Sequence, residues 1–213
     1  MAYFRMKYFL FSISAFLSSA CASYYKTLQP AVVETSCADK LKPKGIASAW
    51  FSTGVDVMGK HISGLLLIKE MPDQSIRIVF TNEVGVTFFD FEFSRDGKFE
   101  VKKIINQLNK KIIIETLKKD FYLLSGLPFQ QELKSWKHNN KLYVGMENES
   151  ERYYFVTSSV CTTLEGVEIG SKRKKMVSIS FEGEDTRYPE SIVITHFTFD
   201  MTLTLKRINK NAD

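Results

Sequence analysis

From Gly45 onward, apolar and polar residues alternate in short runs between turn-forming residues. IASAWFSTGVDV, HISGLLLIKEM, SIRIVFTN and VTFFDFEF are four such runs, rich in β-branched and aromatic residues. Each predicts a strand. In the fourth, Phe89, Phe91 and Phe93 fall on one face, and Phe88, Asp90 and Glu92 on the other. Three rings on one face of a sheet require an apolar cover. Residues 101–126 offer one. There Ile104, Ile105, Leu108, Ile112, Leu117, Phe121 and Leu124 recur at spacings near three and four, with lysines in most of the gaps. That spacing predicts an amphipathic helix, broken near Asn109 and ended by Gly126 and Pro128. Its apolar face is read as packing on the sheet; lying on a membrane surface is the alternative.

The second half returns to strands. KLYVGMEN, RYYFVTSSV, TTLEGVEIGS, KKMVSISFEG, SIVITHF and FTFDMTLTLKRI are short runs joined by turn-rich pieces. Such strands at a spacing of about 8–12 residues suit an antiparallel barrel or sandwich. In the last run Phe197, Phe199, Met201, Leu203 and Leu205 alternate with Thr198, Asp200, Thr202, Thr204 and Lys206. One buried and one wet face are expected there.

Ahead of this body the pattern changes. Arg5 and Lys7 precede the apolar stretch YFLFSISAFL, and Ser18, Ser19 and Ala20 follow it. A basic start, a short apolar core and small residues make residues 1–20 an export signal. The core is too short for the roughly 20 residues of a membrane-spanning helix. Two cleavage readings compete. Leu17-Ser18-Ser19-Ala20-Cys21 is similar to the lipobox of bacterial lipoproteins of the Bacteroidetes type, which puts a lipid on Cys21. Ala20-Cys21-Ala22 instead fits ordinary secretion, with Ser23 first. The lipidated reading is taken forward. Several acyl chains on one residue hold a protein to a bilayer far more firmly than the marginal binding of one chain. Ala22 is not acidic, so the expected place is the periplasmic face of the outer membrane, with release into the periplasm as the alternative. Residues 22–44 lack periodicity and contain Pro30 and Pro43, which makes residues 21–44 a lipidated tether and residues 45–208 one folded domain.

Composition and charge narrow the classes. The 213 residues are 44% hydrophobic, suited to one globular domain. Net charge is +5, or +3 once Arg5 and Lys7 are set aside, and no nucleic-acid motif accompanies it. Nucleic acid is therefore not an expected partner. Lipidation or removal of Cys21 leaves Cys37 and Cys161 in an oxidising compartment, where they either bridge or remain two thiols.

Ten or so antiparallel strands, a long amphipathic helix after the fourth, and a lipobox together resemble the LolA/LolB-like lipoprotein carriers. The resemblance is carried by WFSTGVDVMGKHISGLLLIKEMPDQSIRIVFTNEVGVTFFDFEF and by YPESIVITHFTFDMTLTLKRI, and spans residues 45–208. It implies an α+β fold: an incomplete antiparallel β-barrel of about 10–11 strands, whose concave face is covered by the amphipathic helix. It also implies a hydrophobic groove for an acyl chain or a lipidated partner, lined here by Phe89, Phe91, Phe93, Ile104, Ile105 and Leu108. Lipid or lipoprotein trafficking would follow. The alternative is a non-catalytic accessory subunit of a cell-envelope complex, with the groove filled by its own side chains and an envelope protein as partner.

No chemistry competes with binding. His61, His138 and His196 are scattered without metal-ligand spacing, and neither a nucleophile elbow nor a phosphate loop is present. His196 is expected to be solvent-facing or hydrogen-bonded. Asp90 and Glu92 share a strand face, which an exposed polar surface explains more simply than paired catalytic carboxylates. No enzyme, cofactor or metal is expected. Lys172, Arg173, Lys174 and Lys175 form a basic run between two strands. They read as a solvated hairpin tip or as a contact for anionic headgroups.

Overall fold

The computed structural model describes residues 25, 27–32, 35–130, 132–147, 149–171, 173–183, 185 and 187–208, with the side chains of residues 35–37 outside that set. The export signal, Cys21, the Cys37 side chain and Lys172 lie outside the described residues.

The chain begins with β1 (Gln29–Pro30) and α1 (Thr35–Leu41). An antiparallel meander follows: β2 (Ala49–Val57), β3 (Lys60–Glu70), β4 (Ile76–Thr81), β5 (Thr87–Phe93) and β6 (Phe99–Ile104). Helix α2 (Lys111–Leu124) and a 3-10 turn (Leu127–Gln130) come next. A second meander completes the fold: β7 (Lys134–His138), β8 (Lys141–Glu147), β9 (Arg152–Ser158), β10 (Leu164–Gly170), β11 (Lys175–Glu182), β12 (Ser191–His196) and β13 (Met201–Arg207). All 13 strands share one open antiparallel sheet, in the order β1-β7-β8-β9-β10-β11-β12-β13-β2-β3-β4-β5-β6. The two meanders join where β13 pairs with β2, from Met201 opposite Val57 to Arg207 opposite Phe51.

Three expectations change. The sheet has more strands than the pattern suggested, because β1, β6 and β7 were not seen in it. The predicted helix over 101–126 begins ten residues late: Val101 and Ile104 belong to β6, Ile105 and Leu108 to the turn after it, and only 111–124 is helical. β5 without β6 would leave a row of unpaired backbone groups. Phe99 and Val101 also alternate with Glu100 and Lys102, a strand period hidden by the lysines. The third change is Phe197. It stands outside β13, in the turn after His196, and is 56% exposed where the alternation had it buried.

α2 buries Leu117, Phe121 and Leu124 on one stripe, together with Asp120 and Leu123. Gly126 ends it at φ 71°, and its α-carbon lies so close to Gly45 that an added Cβ would stand 2.5 Å from the Gly45 nitrogen. The helix touches strands that are far apart in the sheet. The Tyr122 ring lies 6.0 Å from Phe93 on β5 and 6.1 Å from Tyr153 on β9. Those strands are eight places apart. In a flat sheet they would stand roughly 38 Å apart, so the sheet bends strongly.

A second cluster explains why β8 and β9 are buried on both faces. Val144 and Phe155 enter the main core; Tyr143, Tyr154 and Val156 point the other way and are covered by Tyr25, Leu28 and Trp136. The stretch expected as a tether is thus docked over part of its length. Tyr25 is 3% exposed, its hydroxyl donates to Glu168 at 2.9 Å, and β1 pairs with β7. Gly170 makes room for it, since a Cβ there would come within 2.0 Å of the Tyr25 ring. Gly170→Ala is therefore expected to unseat Tyr25. Losing about 1.5–3 kcal/mol of burial raises local opening tenfold or more. Limited proteolysis should cut residues 25–32 correspondingly faster, and an unchanged rate would contradict the packing.

Candidate functional site

The expected groove face is a packed layer of rings. Phe89, Phe91 and Phe93 are 3%, 0% and 0% exposed. Phe89 stacks on Phe91 at 4.4 Å, Phe121 of α2 lies 5.7 Å from Phe89, and Phe93 meets Phe99 at 5.1 Å. Alternation along β5 puts these rings on one face and the helix stripe meets them there. Ile104 and Leu108 are half-buried against the same core. Ile105 is half-buried in the turn, its N–H donating to the Phe88 carbonyl.

The opposite face of β5 is polar and accounted for. Arg77 forms a two-pronged contact with Asp90 at 2.8 and 2.6 Å, and Lys102 reaches Glu92 at 3.5 Å. Asp90 is held by Arg77, while Glu92 shares Lys102 with Glu100, which lies nearer at 2.8 Å.

A polar pair meets inside the apolar layer. Asp120 of α2 is 0% exposed and faces His196 of β12, with Oδ1 and Oδ2 at 2.9 and 3.1 Å from Nε2. The other ring nitrogen, Nδ1, lies 3.0 Å from the Met201 carbonyl. A carbonyl only accepts, so Nδ1 carries a proton. Nε2 then donates to a carboxylate or accepts from a carboxylic acid; in both cases the pair is neutral overall. Burial raises the Asp120 pKa above the usual carboxylate range and outweighs the His196 contact. Burial pushes His196 down, but the hydrogen bond and charge of Asp120 more than offset it, so the ring stands above its ordinary value. With both nitrogens committed, the ring has no lone pair ready for a substrate. The arrangement is a clasp between helix and sheet.

Asp120 escaped the sequence reading, yet a signal was present. It sits three residues after Leu117 and four before Leu124, in the apolar stripe, and His196 follows Ile192 and Ile194 on one strand face. A carboxylate and a histidine in two facing apolar stripes are each expected to need a partner.

The remaining expected sites lie apart from this layer. Lys175 pairs with Glu168 at 2.5 Å, while Arg173 and Lys174 are exposed in the β10–β11 turn. Cys161 is disulfide-bonded. A cleft of about 250 Å³ lies elsewhere, lined by Lys44, Glu70, Arg95, Ser125 and Arg187 among others. Among the described residues, no helix is long and apolar enough to cross a membrane.

No family model matches the sequence, and no curated protein sequence does either. Solved structures do. A LolA superfamily protein from Nitrosomonas europaea aligns with a TM-score of 0.52 at 7% identity, covering 84% of this chain and 93% of that one. A DUF1329 family protein from Desulfovibrio piger aligns at 0.42 and 7% identity, over 82% and 89%. A Vibrio parahaemolyticus domain described as a candidate outer membrane lipoprotein-sorting protein aligns at 0.43 and 8%, over 84% and 91%. The first of these shows that the chain has a LolA-like fold, an open antiparallel half-barrel.

Proposed function

We propose that this is a non-catalytic envelope lipoprotein, anchored through acylated Cys21, that holds an acyl chain or a lipidated partner between the curved sheet and α2. Residues 1–20 would be its signal, and residues 45–208 its LolA/LolB-like domain. In this reading the protein sits on the periplasmic face of the outer membrane of a Bacteroidetes-type bacterium and serves lipid or lipoprotein trafficking. Acylation of Cys21 leaves Cys37 as the partner of Cys161.

The observation that carries the binding role is the interface between α2 and the Phe89/Phe91/Phe93 face. It is apolar and aromatic, with the buried Asp120–His196 clasp joining the helix to the sheet. Apolar contacts are non-directional and can be exchanged for contacts with a hydrocarbon chain. α2 would act as a cover over the concave side, and the rings would part from Phe121 as a chain enters. Native mass spectrometry of protein extracted in mild detergent is expected to show a retained lipid, released when the groove is blocked by Leu117→Trp. A preparation with no added mass under any gentle condition would refute the binding role.

One observation favours a second reading. The rings are filled in by the protein's own side chains, as an accessory subunit would have them. The same measurement separates the two.

A further inference from the structure

We propose that the cleft beyond the Phe93 end of the ring layer is an anion site, which takes the phosphate of a lipid whose chains lie under α2. The proposal rests on the binding role above and assigns the other end of the ligand.

The seam between α2 and β5 runs into this cleft. Phe93 is the last ring of the row, and Tyr122 of α2 lies 6.0 Å from it. Ile76, paired opposite Phe93, lines the cleft, as do Ser125 at the end of α2 and Arg95, two residues beyond Phe93. Ile46, Ile76 and Leu127 give the cleft an apolar side that packs against the main core. A chain laid along Phe89, Phe91 and Phe93 therefore delivers its polar end there.

Charge is arranged differently here from the rest of the sheet. Elsewhere several bases meet acids: Arg77 with Asp90, Lys141 with Glu165, Arg152 with Glu147 and Lys175 with Glu168. Lys44, Arg95 and Arg187 come from three separate segments to one concavity of about 250 Å³, and among the described residues none of them forms an ion pair. Three cations against the one lining carboxylate, Glu70, leave a surplus of positive charge. Arg207 adds to it: its guanidinium lies 5.1 Å from the Tyr188 ring, and that of Arg187 lies 6.0 Å from the same ring. Two guanidiniums on one ring repel each other, and a bound anion relieves the repulsion.

The acids beside the cleft have other donors. Asp73 accepts from the Ser75 N–H and hydroxyl, Asp96 from the Ser94 hydroxyl and Asp185 from the Arg187 N–H, while Glu92 shares Lys102. The cations are not needed as helix caps either. The last carbonyls of α2, from Phe121 to Leu124, already accept from the Ser125 N–H and hydroxyl, the Gly126 N–H and the Ile46 N–H. Guanidinium and ammonium donors beside an apolar wall are what a phosphate at the head of a hydrocarbon chain requires.

Native mass spectrometry of the full-length protein tests this, with the protein extracted in mild detergent and given equimolar dipalmitoylphosphatidylglycerol and dipalmitoylglycerol. The phosphate lipid is expected to be retained with about a tenfold preference. Arg95→Gln/Arg187→Gln should erase that preference and leave retention of dipalmitoylglycerol unchanged. Glu70→Gln removes the opposing charge and should raise the preference roughly threefold. Lys98→Gln/Lys206→Gln takes two charges from outside the cleft and should change nothing. All of these side chains are exposed, so the thermal transition should stay in place. Equal retention of the two lipids overturns the anion site and leaves the binding role standing. A preference that survives Arg95→Gln/Arg187→Gln overturns the site as well. Phosphorus NMR with inorganic phosphate separates the sources. If the parent protein broadens the phosphate signal, Arg95→Gln/Arg187→Gln does not, and no lipid is retained, the cleft binds free phosphate and the lipid headgroup is rejected. Neither lipid nor phosphate bound overturns both readings.

Discussion

Asp120→Ala is expected to lower the unfolding free energy by about 3–5 kcal/mol, because it leaves His196 buried without its partner. Urea denaturation at neutral pH reads the loss directly. Asp120→Asn keeps the shape and a hydrogen bond, so it should cost less. The pH dependence gives a second test of the clasp. His196 has a raised pKa in the folded chain, so its stabilisation is complete below the unfolded value near 6.5. It is lost as pH rises through the folded value. The pair holds one proton in either arrangement, so the raised Asp120 describes that same proton and adds no second decline. Urea midpoints should therefore decline as pH rises above about 6.5, with a slope of up to about 1.4 kcal/mol per pH unit. His196→Gln should flatten that decline. A midpoint that stays level in the parent protein would show that the pair does not hold its proton.

Phe91→Ala should cost a similar amount for a different reason. The ring is 0% exposed and lies between Phe89 at 4.4 Å and Phe99 at 5.2 Å, with Phe121 at 6.5 Å. Removing it loses transfer energy and leaves a void that rigid neighbours fill only partly, at about 3–5 kcal/mol. Calorimetry or urea denaturation measures it. Phe88 is the internal control. It sits on the same strand, half-buried, 5.1 Å from Phe80. Phe88→Ala should cost clearly less. Equal losses at 88 and 91 would mean that the α2-facing side of β5 is not the core.

Alternation made most of the sheet legible. Ten runs read from it correspond to β2–β5 and β8–β13, and the inward set Phe89, Phe91 and Phe93 is the buried set. The misses have physical causes. β6 is rich in lysine and was absorbed into the helix beyond it, since Ile104 and Ile105 fit either period. β7 carries Lys134, Ser135, Trp136, Lys137 and His138, too few apolar residues for any period to show. β1 is two residues long and forms only because β7 offers an edge. Trp50 is 37% exposed, while Trp136 lies 5.3 Å from Tyr154 in the outer cluster. The clasp was written in two stripes far apart in sequence. Only the curvature of the sheet brings Asp120 and His196 together, and no local pattern encodes that curvature.

An open sheet this wide has two margins where another chain could add itself, and both are blunted. At one margin β1 is only two residues long and ends in Pro30, which has no N–H to give. At the other, β6 bears Lys102 and Lys103 beside a register shift at Asp90/Phe91. Short length, a proline, clustered positive charge and a break in the ladder each discourage growth into fibrils. The molecule can thus keep its barrel unclosed while staying a single particle.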